Sequence, residues 1–198
     1  LLSSLLSSLL SSLLSSLLSS LFSSKVAPDG KLLPWLLEHG ADVNAAQRDH
    51  LWQPLHLACM ATHSKSEAVV KQLLAAKARA SAADAMLQTP LHLCASCGAE
   101  KAALQLIEHQ AADIDAADVA GNTPLHLAVQ GGKGCEKVVL LLVQHAATIA
   151  RNALGLTPRD YALDPETHDT LKVQELKQGF ELRYDLLHHP SRWLCPSL

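Results

Sequence analysis

The sequence predicts an all-α solenoid of stacked helix-turn-helix units joined by projecting turns, and three observations carry that prediction. First, Gln53-Pro54-Leu55-His56-Leu57-Ala58 recurs as Thr89-Pro90-Leu91-His92-Leu93-Cys94 and as Thr123-Pro124-Leu125-His126-Leu127-Ala128, with an altered fourth copy at Thr157-Pro158-Arg159-Asp160-Tyr161-Ala162. The prolines lie 36, 34 and 34 residues apart, near the roughly 33-residue period of a turn plus two helices. Second, Leu and Ala dominate while aromatics make up 4% of the 198 residues, so the core is built from small aliphatic side chains at close helix contacts. Third, glycines recur at fixed places in the units: Gly98 and Gly132 where a first helix should end, Gly121 and Gly155 two residues before a Thr-Pro.

In chain order, residues 1–24 come first, as Leu-Leu-Ser-Ser five times followed by Leu21-Phe22-Ser23-Ser24, with the first charge at Lys25. A four-residue period advances about 40° per repeat around a helix, so the leucine pairs spiral and mark no single face. This low-complexity tract is not expected to form an ordinary amphipathic helix. It is long enough to reach across a bilayer, but half of it is Ser, which disfavours insertion. It lacks the basic start of a signal peptide. A first residue of Leu rather than Met is what a fragment or processed product would show.

Residues 25–179 form the repeat array: a partial unit at 30–52, full units at 53–88, 89–122 and 123–156, and a capping unit at 157–179. Each motif opens with a helix-capping residue, places Pro at the first helical position where its missing N–H costs nothing, and continues into an apolar run. Second helices are expected over Ala68–Leu74, Ala102–Ile107 and Val138–Val143. Gly98 and Gly132 fit the left-handed residue that ends a first helix, and Gly121 and Gly155 fit turns with positive φ. In the partial unit only the second helix, Lys31–His39, is recognisable, and Pro34 is expected to interrupt it. About three extra residues around Thr62–Ser66 suggest an irregular bulge. Arg159 and Asp160 replace the Leu-His pair in the last unit, as at a solvent-facing end, and Leu171–Leu176 supplies its second helix. In the tail, 180–198, Phe180–Leu187 is expected to make two helical turns that pack on the last unit and end before Pro190.

With its Thr-Pro-Leu-His openings, glycines, paired leucines, Gly40-Ala41-Asp42-Val43-Asn44-Ala45 loop and turn glycines, the chain resembles the ankyrin-repeat family from about residue 31 to 178. The resemblance implies a fold of about three full repeats between partial capping units, and a non-catalytic scaffold or adaptor. It implies that His56, His92 and His126 hydrogen-bond within and between neighbouring loops, and that a protein partner meets a concave face of fingers and first helices. The positions it assigns to that face are His50, Trp52, Met86, Gln88, Val119 and Asn122 on the fingers, and Met60, Ser96 and Gln130 on the first helices. Trp52 and Met86 stand out as large side chains on polar loops, with the alternative that Trp52 covers the imperfect N-terminal end. A second reading makes the array the substrate-targeting domain of a larger enzyme. A third makes Asn44 a target for hydroxylation by an oxygenase.

The residues supply little chemistry of their own. A formal charge of −3 and the lack of a Lys/Arg run argue against nucleic acid. The five cysteines are an odd number without framework spacing, as expected of reduced thiols in a cytoplasmic or nuclear protein. Cys94-Ala95-Ser96-Cys97 has CxxC spacing but neither a redox context nor a second half-site, and Cys94 fills the small-residue slot of Ala58 and Ala128. No nucleophile elbow, HExxH or Walker loop occurs, so no cofactor, metal or catalytic residue is assigned. Asp42, Asp84, Asp113, Asp115 and Asp118 are read as turn stabilisers, and the chain as a monomer.

Overall fold

The computed structural model describes residues 6–14, 16, 32–61, 66–109 and 112–188, with Leu32 and residues 179–188 described by backbone alone. Its helices are α1 (6–14), α2 (Leu32–Glu38), α3 (Pro54–Met60), α4 (Ser66–Ala75), α5 (Pro90–Cys97), α6 (Glu100–Glu108), α7 (Pro124–Gln130), α8 (Glu136–Gln144), a 3-10 turn (Pro158–Tyr161) and α9 (Pro165–His188). No strand occurs among the described residues.

Two layers result. The helices that begin at the motif prolines stack on one another, α3 on α5, α5 on α7 and α7 on the 3-10 turn, while α4, α6, α8 and α9 stack in the second layer. Leu55, Leu91 and Leu125 of the motif are fully buried, as are Leu73, Leu106 and Leu142 of the second helices and Leu171 of α9. Each such leucine contributes on the order of 2 kcal/mol of burial, so the repeated motif is also a repeated unit of stability. The outer surface carries the charge: Lys101 pairs with Glu67 at 3.3 Å and Lys137 with Glu100 at 3.5 Å, linking successive second helices. These exposed pairs contribute about 0–1 kcal/mol each.

Helix ends follow the sequence closely. Gln53, Thr89, Thr123 and Thr157 are extended N-cap residues followed by Pro in the first turn. Gly98 closes α5 at φ +69° and Gly132 follows α7 at φ +62°.

Three elements depart from expectation. Pro34 does not interrupt α2: it lies in the first turn of Leu32–Glu38, where backbone N–H groups have no partner within the helix to lose. The final second helix does not stop near Leu176; α9 runs unbroken through Gly179 for 24 residues to His188. Just past its midpoint it is fastened to the array by Gln178, whose Oε1 accepts the Ile149 amide at 3.1 Å and whose amide donates to the Ala147 carbonyl at 3.2 Å. The bulge expected at Thr62–Ser66 falls on residues 62–65, outside the described residues, and Ser66 opens α4.

The third departure is the Leu/Ser tract, whose period should mark no single face. Residues 6–14 are helical, with Leu10 and Leu14 buried against Leu36, Ala41 and Leu57 while Leu6, Leu9 and Leu13 stay exposed. The drift of about 40° per repeat is real, but over two contacts it stays inside an apolar stripe about 100° wide. The Ser7 hydroxyl donates to the Gly40 carbonyl at 3.0 Å, and Ser11 Oγ accepts the Asp42 amide at 2.9 Å.

The candidate partner-binding face

The fingers are built on two hydrogen-bond ladders. In the first, the motif histidine ties its own helix start to the next finger. The Thr89 amide donates to His92 Nδ1 at 3.1 Å, the Thr89 hydroxyl reaches the same atom at 2.9 Å, and His92 Nε2 meets the Asn122 carbonyl at 3.0 Å. Thr123, His126 and the Leu156 carbonyl repeat this at 3.1, 3.0 and 3.2 Å. In the first full unit the Gln53 amide donates to His56 Nδ1 at 3.2 Å and His56 Nε2 meets the Gln88 carbonyl at 3.2 Å. A backbone amide can only donate and a carbonyl can only accept, so Nδ1 carries the lone pair and Nε2 the proton. All three rings are therefore held as the same neutral tautomer. Burial depresses their pKa values below the ordinary imidazole range, outweighing the carbonyl bonds and nearby carboxylates that act the other way.

In the second ladder a carboxylate or amide folds each of the last three fingers. Asp84 Oδ1 accepts the amides of Met86 and Gln88, both at 2.8 Å. Asp118 Oδ1 accepts those of Ala120 at 2.9 Å and Asn122 at 2.8 Å. Asn152 Oδ1 accepts those of Leu154 and Leu156, both at 3.0 Å. Neighbouring fingers are then joined backbone to backbone, from Ala85 N–H to His50 C=O, Val119 N–H to Met86 C=O and Ala153 N–H to Ala120 C=O, each at 3.0 Å. Asp42, Asp113 and Asp115 likewise accept backbone amides, from Asn44, Asp115 and Thr148. Four of the five aspartates read as turn stabilisers do that work; Asp115 instead ties its loop to the next unit.

The sequence-assigned positions separate into groups. His50, Met86 and Val119 are exposed at the fingertips, His50 with its ring tilted against Trp52 at 4.7 Å. Trp52, Gln88 and Asn122 share the next position along the finger and are half-buried. There the Trp52 indole N–H donates to Asp84 Oδ2 at 3.0 Å, the Gln88 amide to Asp118 Oδ2 at 3.4 Å, and the Asn152 amide to Asn122 Oδ1 at 2.8 Å. Trp52 also packs on the cluster of Leu36 and Leu57, as the alternative of covering the N-terminal end requires. Met60, Ser96 and Gln130 occupy the seventh position of α3, α5 and α7; Met60 is half-buried, the other two exposed. Asn44 is committed to the next unit, its Oδ1 accepting the Arg79 amide at 2.9 Å and its Nδ2 donating to the Lys77 carbonyl at 3.4 Å.

Leu87 and Leu154 belong to the same row and escaped the sequence reading. The tips carry Leu51, Met86, Leu87, Val119 and Leu154 at 48, 59, 53, 59 and 76% exposure. The alignment of units that places Gly121 and Gly155 at the turn also places Leu51 and Leu87 there, and both leucines adopt that left-handed conformation, at φ +57° and +58°. The repeat spacing was the signal available for Leu87. In the second and third fingers both oxygens of Asp84 and of Asp118 accept hydrogen bonds from the array itself, so what these two tips present outward is apolar.

Reactive chemistry is sparse. Cys59, Cys94, Cys97 and Cys135 are free thiols, and burial pushes Cys94 and Cys135 up from the ordinary thiol range, away from the reactive thiolate. Among the described residues no group of three or more His, Cys, Asp or Glu side chains is placed to hold a metal ion, and no helix is long and apolar enough to cross a membrane.

Comparison with protein families gives one match: the family described as ankyrin repeats (3 copies) matches residues 24–118 and again residues 59–153. No curated protein matches the chain.

Proposed function

The chain belongs to the ankyrin-repeat family, whose arrays generally act as protein-protein interaction modules, and on that premise we propose that it is a non-catalytic adaptor or scaffold that binds its partner along the fingertip row. The observation that carries this reading is the conformation of Leu51 and Leu87. A left-handed conformation costs a non-glycine residue about 1–2 kcal/mol, and the third and fourth fingers avoid that cost with Gly121 and Gly155. Both leucines point outward and so return little of it as core burial. Strain retained without a packing return supports a surface role, and apolar side chains on a rigid, internally hydrogen-bonded tip need little ordering on binding. The free thiols fit a reducing compartment, the cytoplasm or nucleus.

The test is affinity capture from lysate with three chains: the unaltered protein, Met86→Ser/Leu87→Gly, and Lys101→Ala/Lys137→Ala on the outer surface. A partner lost with the tip variant and kept by the outer variant supports the proposal. Leu87→Gly relieves backbone strain, so the tip variant should melt no lower than the unaltered chain, and loss of capture cannot be put down to unfolding. A partner kept by the tip variant refutes it.

A further inference from the structure

Over residues 1–20 the sequence is unchanged by a shift of four residues. Within it the helix over 6–14 has four seats on the array: Ser7 on the Gly40 carbonyl, Leu10 and Leu14 in the cluster with Leu36, Ala41 and Leu57, and Ser11 on the Asp42 amide. A helix advanced by four residues moves about 6 Å along its axis and turns about 40°. If α1 makes that screw motion, the four seats are refilled by the same residue types. Ser3, Leu6, Ser7 and Leu10 take them in one direction; Ser11, Leu14, Ser15 and Leu18 take them in the other. A further step would bring Phe22 to a leucine seat and end the degeneracy.

We infer that the Leu/Ser tract is a register-degenerate cap: a helix that covers the open N-terminal end of the array in any of three registers related by four-residue slips. The end it covers is apolar, with Leu36 and Leu57 buried beneath it and Leu33, Leu37, Trp52 and Val69 packed around them. Among the described residues the partial first unit supplies its second helix, α2, and α1 lies against that helix and against Leu57 of α3. The chain joining the seats to Leu32 lengthens or shortens by four residues with each slip. Loop closure changes the three populations by only about 1.5-fold for such a change, so none dominates through its connection. Seat chemistry does not separate them either, because the residues are the same. A cap of this design stays closed when the tract gains or loses a whole Leu-Leu-Ser-Ser unit, which a cap of unique sequence would not.

The registers place the leucine pairs 6 and 10, 10 and 14, or 14 and 18 in the buried seats. Thermal unfolding of the full chain, followed by circular dichroism, therefore distinguishes a slipping cap from a fixed one. Leu10→Asp leaves the pair 14 and 18, and Leu14→Asp leaves the pair 6 and 10. Each single variant keeps one register of three, a roughly threefold loss of cap closure that lowers Tm by about 3 °C. Leu10→Asp/Leu14→Asp leaves none, and so does Leu6→Asp/Leu14→Asp; both should lower Tm by roughly 10 °C. The same substitutions to Ser, a residue native to the tract, should keep this order if an Asp variant fails to fold. A fixed cap is the answer if Leu14→Asp alone falls as far as Leu6→Asp/Leu14→Asp. No cap exists if the double variants melt with the unaltered chain. Either result overturns the inference.

Discussion

Acidification should loosen this array well before its carboxylates titrate, because the motif histidines are built to stay neutral. His56, His92 and His126 are fully buried, each accepts an amide N–H at Nδ1, and each has Nε2 against a carbonyl. A second proton would have to sit on Nδ1, facing a donor and breaking the helix cap. Their folded pKa values lie below 6.5, so below about pH 6.5 the unfolded chain binds protons that the folded chain refuses. Stability is thus fully present above the unfolded value and is lost as pH falls through 6.5 toward the folded values. One unit below 6.5, each histidine can have cost at most about 1.4 kcal/mol, and the three together at most about 4 kcal/mol. The assay is the urea midpoint at about pH 7.5 and about pH 5.5. His92→Asn should lower the midpoint at both values but reduce the difference between them by about a third. A midpoint unchanged over this range, or higher at pH 5.5, would refute the tautomer assignment. Asp160 reports in a separate window: its pKa is lowered by the amide and hydroxyl of Thr157, so its contribution is lost only at more acidic pH.

Two further predictions concern the fingers. A Cβ on Gly121 would lie 2.8 Å from the Ala153 amide nitrogen, whereas one on Gly155 would meet nothing within 4 Å. Both have positive φ, so Gly155→Ala should cost only the conformational term of about 1–2 kcal/mol and Gly121→Ala measurably more, as chemical denaturation would show. Asp118→Ala leaves two finger amides without their acceptor and should cost about 2–3 kcal/mol. Asp118→Asn should recover most of that loss, because Asn152 already folds the last finger with an amide oxygen; equal losses for the two variants would show that charge, not geometry, holds the turn.

What the sequence revealed was whatever repeats. The motif prolines, the glycines at 98, 121, 132 and 155, and the turn aspartates each use a side chain or backbone freedom that few other residues supply, so spacing was enough to place them. What it concealed were positions where tertiary context overrides local preference. Leu51 and Leu87 adopt a conformation their type disfavours, and only alignment with Gly121 and Gly155 reveals it. Pro34 reads as a helix breaker until the helix is seen to begin two residues earlier. The boundary drawn between the capping unit and the tail at residue 179 separates no elements, because α9 passes through it. The Leu/Ser tract misled for a different reason: its period argues against a long continuous face, while the array asks for only two leucine contacts.

The two ends of the array solve one problem by different chemistry. Every internal motif histidine needs a carbonyl from the following finger, so the ladder cannot end on a histidine without leaving a buried N–H unpaired. The fourth motif replaces it with Asp160, which accepts the Thr157 amide at 2.7 Å and hydroxyl at 2.8 Å and has no proton to pass on. Arg159, in place of leucine, turns to Glu175 of α9 at 2.8 Å, and Leu171 of α9 is fully buried against the array. At the C-terminal end, then, termination is written into particular side chains with particular partners, Asp160 with Thr157 and Arg159 with Glu175 and His168. At the other end α1 supplies only leucines and hydroxyls, groups that fit an apolar end and two backbone atoms without demanding a unique register. The C-terminal end should therefore tolerate substitution poorly and the Leu/Ser tract well, a contrast that follows from how many alternative residues each seat can draw on.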